Sequence, residues 1–200
     1  MDPLFIVFEG IDGSGKSTQA ELFFKKLIAS GRKSVKLFEP TNGTTGIEIR
    51  SHLKKKEMPS PEFMLDLFIK DREYDLQENI QPAFDNGYIV VMDRYYHSNA
   101  AYQGAMGLDP EFILQENLSK KFPVPDRVYF IDIPVKTAVA RIKKRNSDSE
   151  EIFEKEKFLL KVLDNYLDLI DDSFTVINGN NDADIVAEEI FSDFLNRFPG

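Results

Sequence analysis

Apolar side chains along this chain follow two rhythms. Apolar runs occupy Leu4–Phe8, Tyr88–Met92, Arg127–Ile133 and Phe174–Ile177, the first two of them unbroken, and Val35–Phe38 reads as a further short strand. Runs this short, without polar alternation, predict strands buried on both faces. Between them the spacing turns helical. From Lys16, the side chains of Ala20, Phe23, Phe24, Leu27 and Ile28 share one face of a helix that Gly31 stops. A long helical region is predicted from Pro61 to about Phe84, closed by Asn86-Gly87. Further helices are predicted over 135–145, 153–170 and 183–197, the last with Val186, Ile190 and Phe194 on one stripe. Strands alternating with helices predict an α/β fold: a five-stranded parallel sheet with helices on both faces. Ligands in such folds sit beyond the carboxyl ends of the strands. That rule points to Glu9–Ser17, Glu39–Gly46, Asp93–Gly104 and Asp132.

Composition narrows the function classes. At 200 residues the chain suits one domain spanning 1–200, with room for a short lid at about 141–155. A net charge of −9 argues against bulk nucleic-acid binding, which needs a basic surface. Anionic ligands must therefore be held by backbone amides and a few placed cations. Cysteine is absent, so no disulfide framework, zinc knuckle or thiol nucleophile is available. Leu4–Phe8 is too short for a membrane span or signal peptide, and a cytoplasmic protein without a membrane partner is expected. The two histidines, His52 and His97, do not make a metal site by themselves and read as non-catalytic.

The strongest chemical signal is Gly10-Ile11-Asp12-Gly13-Ser14-Gly15-Lys16-Ser17, a G-x-x-x-x-G-K-[ST] pattern between a buried strand and an amphipathic helix. Glycines let successive N–H groups converge on a phosphate, and the following helix adds its positive end. Lys16 is expected to bridge the β- and γ-phosphates and Ser17 to ligate Mg²⁺. Asp93 closes an apolar run, the position of a Walker-B acid serving the same Mg²⁺. No N-K-x-D motif follows, which counts against a GTPase switch protein.

Several further segments make the chain resemble the thymidylate (dTMP) kinase family of nucleoside-monophosphate kinases. They are Phe8-Glu9-Gly10 through Lys16-Ser17-Thr18-Gln19, Glu39-Pro40-Thr41 with Gly46 and Arg50, and Leu67-Phe68 with Arg72. To these add Asp93-Arg94-Tyr95, Ser98, Ala101-Tyr102-Gln103-Gly104, Pro125-Asp126, and Arg141 with Arg145. The resemblance implies a P-loop NTPase three-layer fold with a short lid, and an enzyme moving the ATP γ-phosphate to dTMP with Mg²⁺. It further implies a homodimer packed through helices away from the strand ends. Gly10, Gly13, Ser14, Gly15, Lys16, Ser17, Thr18 and Arg141 would hold ATP. Asp12, Glu39, Arg50, Phe68, Arg72, Arg94, Ser98, Tyr102 and Gln103 would bind dTMP, and Ser17 and Asp93 the metal. Asp12, Lys16, Arg94 and Arg145 form the implied catalytic set.

Chemistry suits these roles: Phe68 can stack on a thymine ring, Arg72 one turn on can donate to a base carbonyl, and Gln103 carries both donor and acceptor. Arg50 and Arg94 match phosphate oxygens. Tyr102 would lie beneath the deoxyribose, and Asp12 near its 3′-hydroxyl. The plainer alternatives are a core Phe68, an Arg72 paired on the surface with Asp71 or Asp75, a buried Tyr102 and a Glu39-Pro40 that merely ends a strand.

Two departures matter. The bacterial lid pattern places an arginine where Ile152 stands in Glu151-Ile152-Phe153-Glu154, and the eukaryotic form puts one in the cradle at Gly13. Val162-Leu163 and Phe38 likewise stand where relatives often carry arginine. Lys143, Lys144 or Arg145 is then expected to supply the missing cation, with Arg145 leading because it shares a helix face with Arg141. Competing readings are a kinase for another deoxynucleotide and a non-catalytic nucleotide-binding module with a degenerate lid.

Overall fold

Five parallel strands, β1 (Leu4–Glu9), β2 (Ser34–Phe38), β3 (Ile89–Asp93), β4 (Arg127–Asp132) and β5 (Phe174–Asn178), stand in the order β2-β3-β1-β4-β5. They belong to a computed structural model that describes residues 3–55, 57, 59–145 and 152–199, the backbone alone at 145 and 152–154. Side chains of β1 alternate between two cores. Phe5 and Val7 face one layer with Val90, Met92, Val128 and Phe130. Ile6 and Phe8 face the other with Val91, Tyr129, Ile131 and Ile177. Both layers are closed by helices, which is why the central strands β1, β3 and β4 are apolar through their middles, whereas the edge strands β2 and β5 carry Lys36 and Thr175.

Helices α1 (Lys16–Ala29) and α9 (Ala183–Arg197) cover the second layer through Phe23, Leu27, Ile190 and Phe194. The first layer is covered by α3 (Pro61–Asp75), α5 (Tyr96–Ala105), α7 (Val135–Arg145) and α8 (Ile152–Asp168), with α2 (Thr44–Leu53) and α6 (Pro110–Ser119) packed outside. Residues 146–151, part of the expected lid, lie outside the described residues. Among the described residues no helix is long and apolar enough to cross a membrane.

Three helices go beyond the sequence expectation. α5 buries Tyr96, His97, Ser98, Asn99, Ala100, Ala101 and Gln103, so no apolar stripe marks it. α2 opens on Gly43 with no side-chain cap and on two β-branched threonines, a weak start. α6 carried a readable signal, since Asp109 accepts from the Glu111 N–H at 3.0 Å and Pro110 takes the first position. The long helix expected from Pro61 is also interrupted. A π-helical turn at Leu76–Ile80 joins α3 to α4 (Gln81–Asp85). Pro82 follows that turn, and its ring would otherwise strike the carbonyl one turn back, at Glu78.

The strand ends are level, and this builds the site. Phe8 and Phe38 both pair in register with Asp93. Beyond them the Glu39 N–H donates to the Asp93 carbonyl at 3.2 Å, and the Arg94 N–H to the Phe8 carbonyl at 3.0 Å. Glu9, Glu39 and Arg94 are thereby set at one height. The loop after β2 carries α2, which sits so close that a Cβ on Gly46 would lie 2.0 Å from the Thr41 carbonyl oxygen. Backbone cannot yield as a side chain does. Gly46→Ala is therefore expected to lower the unfolding free energy by about 2–3 kcal/mol, read as a shifted urea midpoint; an unchanged midpoint would show that α2 is not seated on this loop.

Candidate active site

The turn from β1 to α1 is built by three left-handed glycines, Gly10 (φ 145°), Gly13 (φ 86°) and Gly15 (φ 99°). Only glycine adopts such angles without strain. The turn frames a cleft of about 400 Å³ lined by Asp12, Gly13, Gly15, Lys16, Ser17, Thr18, Arg94, Ile142 and Lys155. Lys16 is almost buried, its Nζ 3.5 Å from the Ile11 carbonyl and 3.9 Å from Asp12 Oδ1. Burial, then Arg94, pulls this ammonium down to about 8, while Asp12, Asp93 and Glu9 hold it up.

Arg94 is the centre of the cleft. It is a non-glycine residue at φ 71°, directly after β3. Its guanidinium pairs with Asp12, donates to Ser98 Oγ at 3.0 Å and Tyr102 Oη at 3.2 Å, and lies over the Tyr102 ring. The Tyr102 hydroxyl accepts from the Asp12 N–H at 2.9 Å, which ties α5 to the glycine turn. Burial would raise the Asp12 carboxyl, but Arg94, Lys16, Tyr102 and Lys155 outweigh it and hold the group below its usual value. Burial likewise works against the charge on Arg94, yet Tyr102, Asp12, Tyr166 and Glu9 keep it firmly cationic.

Behind Arg94 stands Glu9, a residue the sequence reading did not assign. Its fully buried carboxylate accepts from the Tyr95 and Ser98 N–H groups at 2.8 and 3.2 Å, capping α5 from a neighbouring strand. It also accepts from the Ser98 and Tyr166 hydroxyls at 2.6 and 2.8 Å. Burial pushes this carboxyl up, with Arg94 and the hydrogen bonds pulling back. Ser98, expected as a ligand contact, thus has its hydroxyl engaged by Glu9, Tyr166 and Arg94 and acts on Arg94 from behind. The available signal for Glu9 was an acid closing an apolar strand, as Asp93 does.

A second buried network adjoins the first. Arg72 has no exposed surface; it pairs with both oxygens of Glu39 and donates to Asn99 at 2.8 Å and to Asn117. All but one of its N–H groups are thereby engaged. Its partner is Glu39, not Asp71 or Asp75. Asp71 is turned instead onto Thr41, whose N–H and hydroxyl it accepts at 2.7 Å each. Asn99 passes the chain on to the buried Gln103, donating to Oε1 at 3.3 Å. Phe68, one turn before Arg72, is half-buried against Ile49, Met64 and Leu67. Arg50 holds the Pro40 carbonyl at 2.7 Å, keeping the loop after β2 shut.

Arg141 lies on the far side of the glycine turn. It donates to the Ser14 and Gly13 carbonyls at 3.0 and 3.5 Å and to the Gly179 carbonyl at 3.0 Å. With Thr18, Gln19, Lys144, Asn181 and Ala183 it borders a separate cleft of about 360 Å³. The Arg145 side chain, and those of Ile152, Phe153 and Glu154, lie outside the described residues, as does Glu151 altogether. His97 is buried, which pushes its imidazole down to about 3 and leaves it neutral. Among the described residues no group of three or more His, Asp or Glu side chains is placed to hold a metal alone. Asp93 Oδ1, however, is buried without a partner, and Ser17 lines the cleft. Such hard oxygen donors fit Mg²⁺ brought in on phosphates.

The thymidylate kinase family model matches residues 8–190, spanning nearly all the elements just described. The chain belongs to the thymidylate kinase family. It is 37% identical over 195 residues to a thymidylate kinase of Leptospira interrogans, covering 98% of this chain and 95% of the relative. A probable thymidylate kinase of Archaeoglobus fulgidus is 41% identical over 196 residues, with 96% and 97% covered. A thymidylate kinase of Thermosipho melanesiensis is 41% identical over 191 residues, with 94% and 95% covered.

Within this family fold, the network around Arg72 has an excess of acid. Asp75 adjoins it with Oδ2 buried and unpartnered, while Asn79 donates to Oδ1 at 2.6 Å. Burial, with help from Asp71 and against Asn79 and Arg72, pushes the Asp75 carboxyl from 3.8 up to about 6. The folded state therefore holds an extra proton between those values, and stability falls as pH rises through about 6. Asp75→Asn keeps the acceptor for Asn79 and removes the charge. It is expected to stabilise the fold by about 1–2 kcal/mol at pH 7.5, with the gain vanishing near pH 4. Melting curves at both pH values check this, and an equal gain at each would refute the assignment.

Proposed function

We propose that the chain catalyses ATP + dTMP ⇌ ADP + dTDP. The observation that carries this reading is the placement of Arg94. It shares a cleft with the P-loop cation Lys16 and is tied through Tyr102 and Ser98 to α5, the helix that also bears Asn99 and Gln103. One guanidinium so placed reaches two phosphates at once. The Gly10–Thr18 turn grips the triphosphate through its amides and Lys16. Arg50 and Arg94 hold the acceptor phosphate, and Asp12 and Tyr102 the deoxyribose. Phe68 and Gln103 take the base, with Glu39 and Arg72 fixing that wall from behind. The apolar-lined cleft bordered by Arg141 receives the adenosine end.

An oxygen of the ionised dTMP phosphate attacks the γ-phosphorus. The bond from that phosphorus to the β–γ bridging oxygen breaks, and ADP leaves with the electron pair. No protein nucleophile or base is required, so the chain's work is alignment and charge stabilisation. Ser17 and Asp93 would hold Mg²⁺, which would supply charge neutralisation for the phosphates. Residues 141–155 act as a lid that excludes water. We place this activity in the cytosol, as the absence of cysteine suits. Exposed Phe63 on α3 and Phe112 and Leu118 on α6 suit a homodimer joined through helices.

An assay reading ADP release with dTMP, dUMP, dGMP and thymidine tests the assignment. The expected result is dTMP ranking first, with Lys16→Ala lowering kcat by about 10²–10³-fold. A different acceptor ranking first would replace dTMP as substrate.

A further inference from the structure

A triphosphate facing a second phosphate concentrates negative charge in the Arg94 cleft, and cations on more than one wall are needed to stabilise it as it moves. Lys16 stands on the P-loop wall and Arg94 on the β3–α5 wall. The third cation lining the cleft is Lys155, in the first turn of α8 on the lid side. Sequence reasoning did not single it out from the other lysines nearby.

Among the described side chains, three other positions are closed to this role by geometry: Gly13, Arg141 and Lys144. Gly13 leaves no room for a side chain, since a Cβ there would lie 2.5 Å from the Ala138 carbonyl oxygen, at a φ of +86°. Arg141 is engaged by the Gly13, Ser14 and Gly179 carbonyls, and with Lys144 it borders the other cleft. Lys155 is exposed, with no ion pair to any described residue, yet near enough for the Asp12 carboxylate to feel its charge. A cation in the first turn of a helix opposes the helix dipole, so helix stability does not account for it. An anion in the cleft does.

We infer that Lys155 is the lid-side cation that touches the transferred phosphoryl group in this chain. The inference rests on the phosphoryl-transfer reading above. In that reading Lys155 binds a γ-phosphoryl oxygen while the new bond to the acceptor oxygen forms and the bond to the bridging oxygen breaks. It donates hydrogen bonds throughout and transfers no proton.

The test compares Lys155→Met, Lys155→Arg and, as a control on the same helix, Lys161→Met. Each is assayed with the acceptor that the unaltered chain uses best. Binding of ADP and of a non-hydrolysable β,γ-imido ATP analogue, each with Mg²⁺, is measured by calorimetry. The expected outcome is a kcat about 10²–10³-fold lower for Lys155→Met, with KM for the acceptor within threefold and kcat restored to within tenfold of the unaltered chain by Lys155→Arg. Analogue affinity should fall about tenfold in Lys155→Met while ADP affinity holds. A kcat for Lys155→Met within threefold of the unaltered chain, or an equal loss in Lys161→Met, overturns the inference. If the unaltered chain phosphorylates none of the acceptors, the proposed reaction fails instead. The ratio of analogue to ADP affinity then decides Lys155 alone, an unchanged ratio counting against it.

Discussion

A carboxylate sealed inside a protein is costly unless every lone pair finds a donor, and Glu9 meets that demand by drawing three elements together. Its oxygens take the first N–H groups of α5, the Ser98 hydroxyl and the Tyr166 hydroxyl of α8. Strand, helix and lid-side helix are thereby fixed at one point. Arg94 depends on that point. Its left-handed backbone costs about 1–3 kcal/mol, and it persists because the preceding strand, the capped helix and the Asp12–Tyr102 pair all hold it there. Remove the buried acid and the start of α5 would lose two of the N–H acceptors that set it against β1.

The Glu39–Arg72 pair obeys the same logic at the next level of the sheet. A buried ion pair contributes little net stability against an apolar replacement, because desolvation consumes most of the attraction. What it supplies is direction. With Asn99 and Asn117 holding the guanidinium from the other side, the hydrogen-bonded chain from Glu39 through Arg72 and Asn99 to Gln103 has its direction set. Burial drives the Glu39 carboxyl up, Arg72 pulls it back, and Asp75 and Asp71 add repulsion. The site thus carries strain in charge as well as in backbone.

Much of this was legible in the chain. Five largely apolar segments marked five parallel strands, because the three central ones are buried on both faces and leave little polar alternation to confuse the reading. The glycine spacing before Lys16 marked the phosphate turn, because few other backbones need left-handed residues so close together. What escaped was structure without periodicity or chemistry without local signature. α5 is buried almost all round, and the π-helical turn answers to one proline. Glu9, Asn99, Asn117 and Tyr166 act through partners distant in sequence, which no window of neighbouring residues reveals. Lys155 had no local mark either, since a lysine near a helix start usually faces water.

The contact between Gly13 and the Ala138 carbonyl has a consequence for how the turn meets its ligand. From outside, α7 leans on the loop at Gly13 and Arg141 hooks its carbonyls to the loop after β5. From inside, the Ser14 N–H donates to the Ile11 carbonyl. Few soft torsions are left, so the ring of amides is shaped during folding and not at encounter. The disorder that a looser loop would surrender on meeting a polyanion has already been removed, and association retains a larger share of its electrostatic free energy.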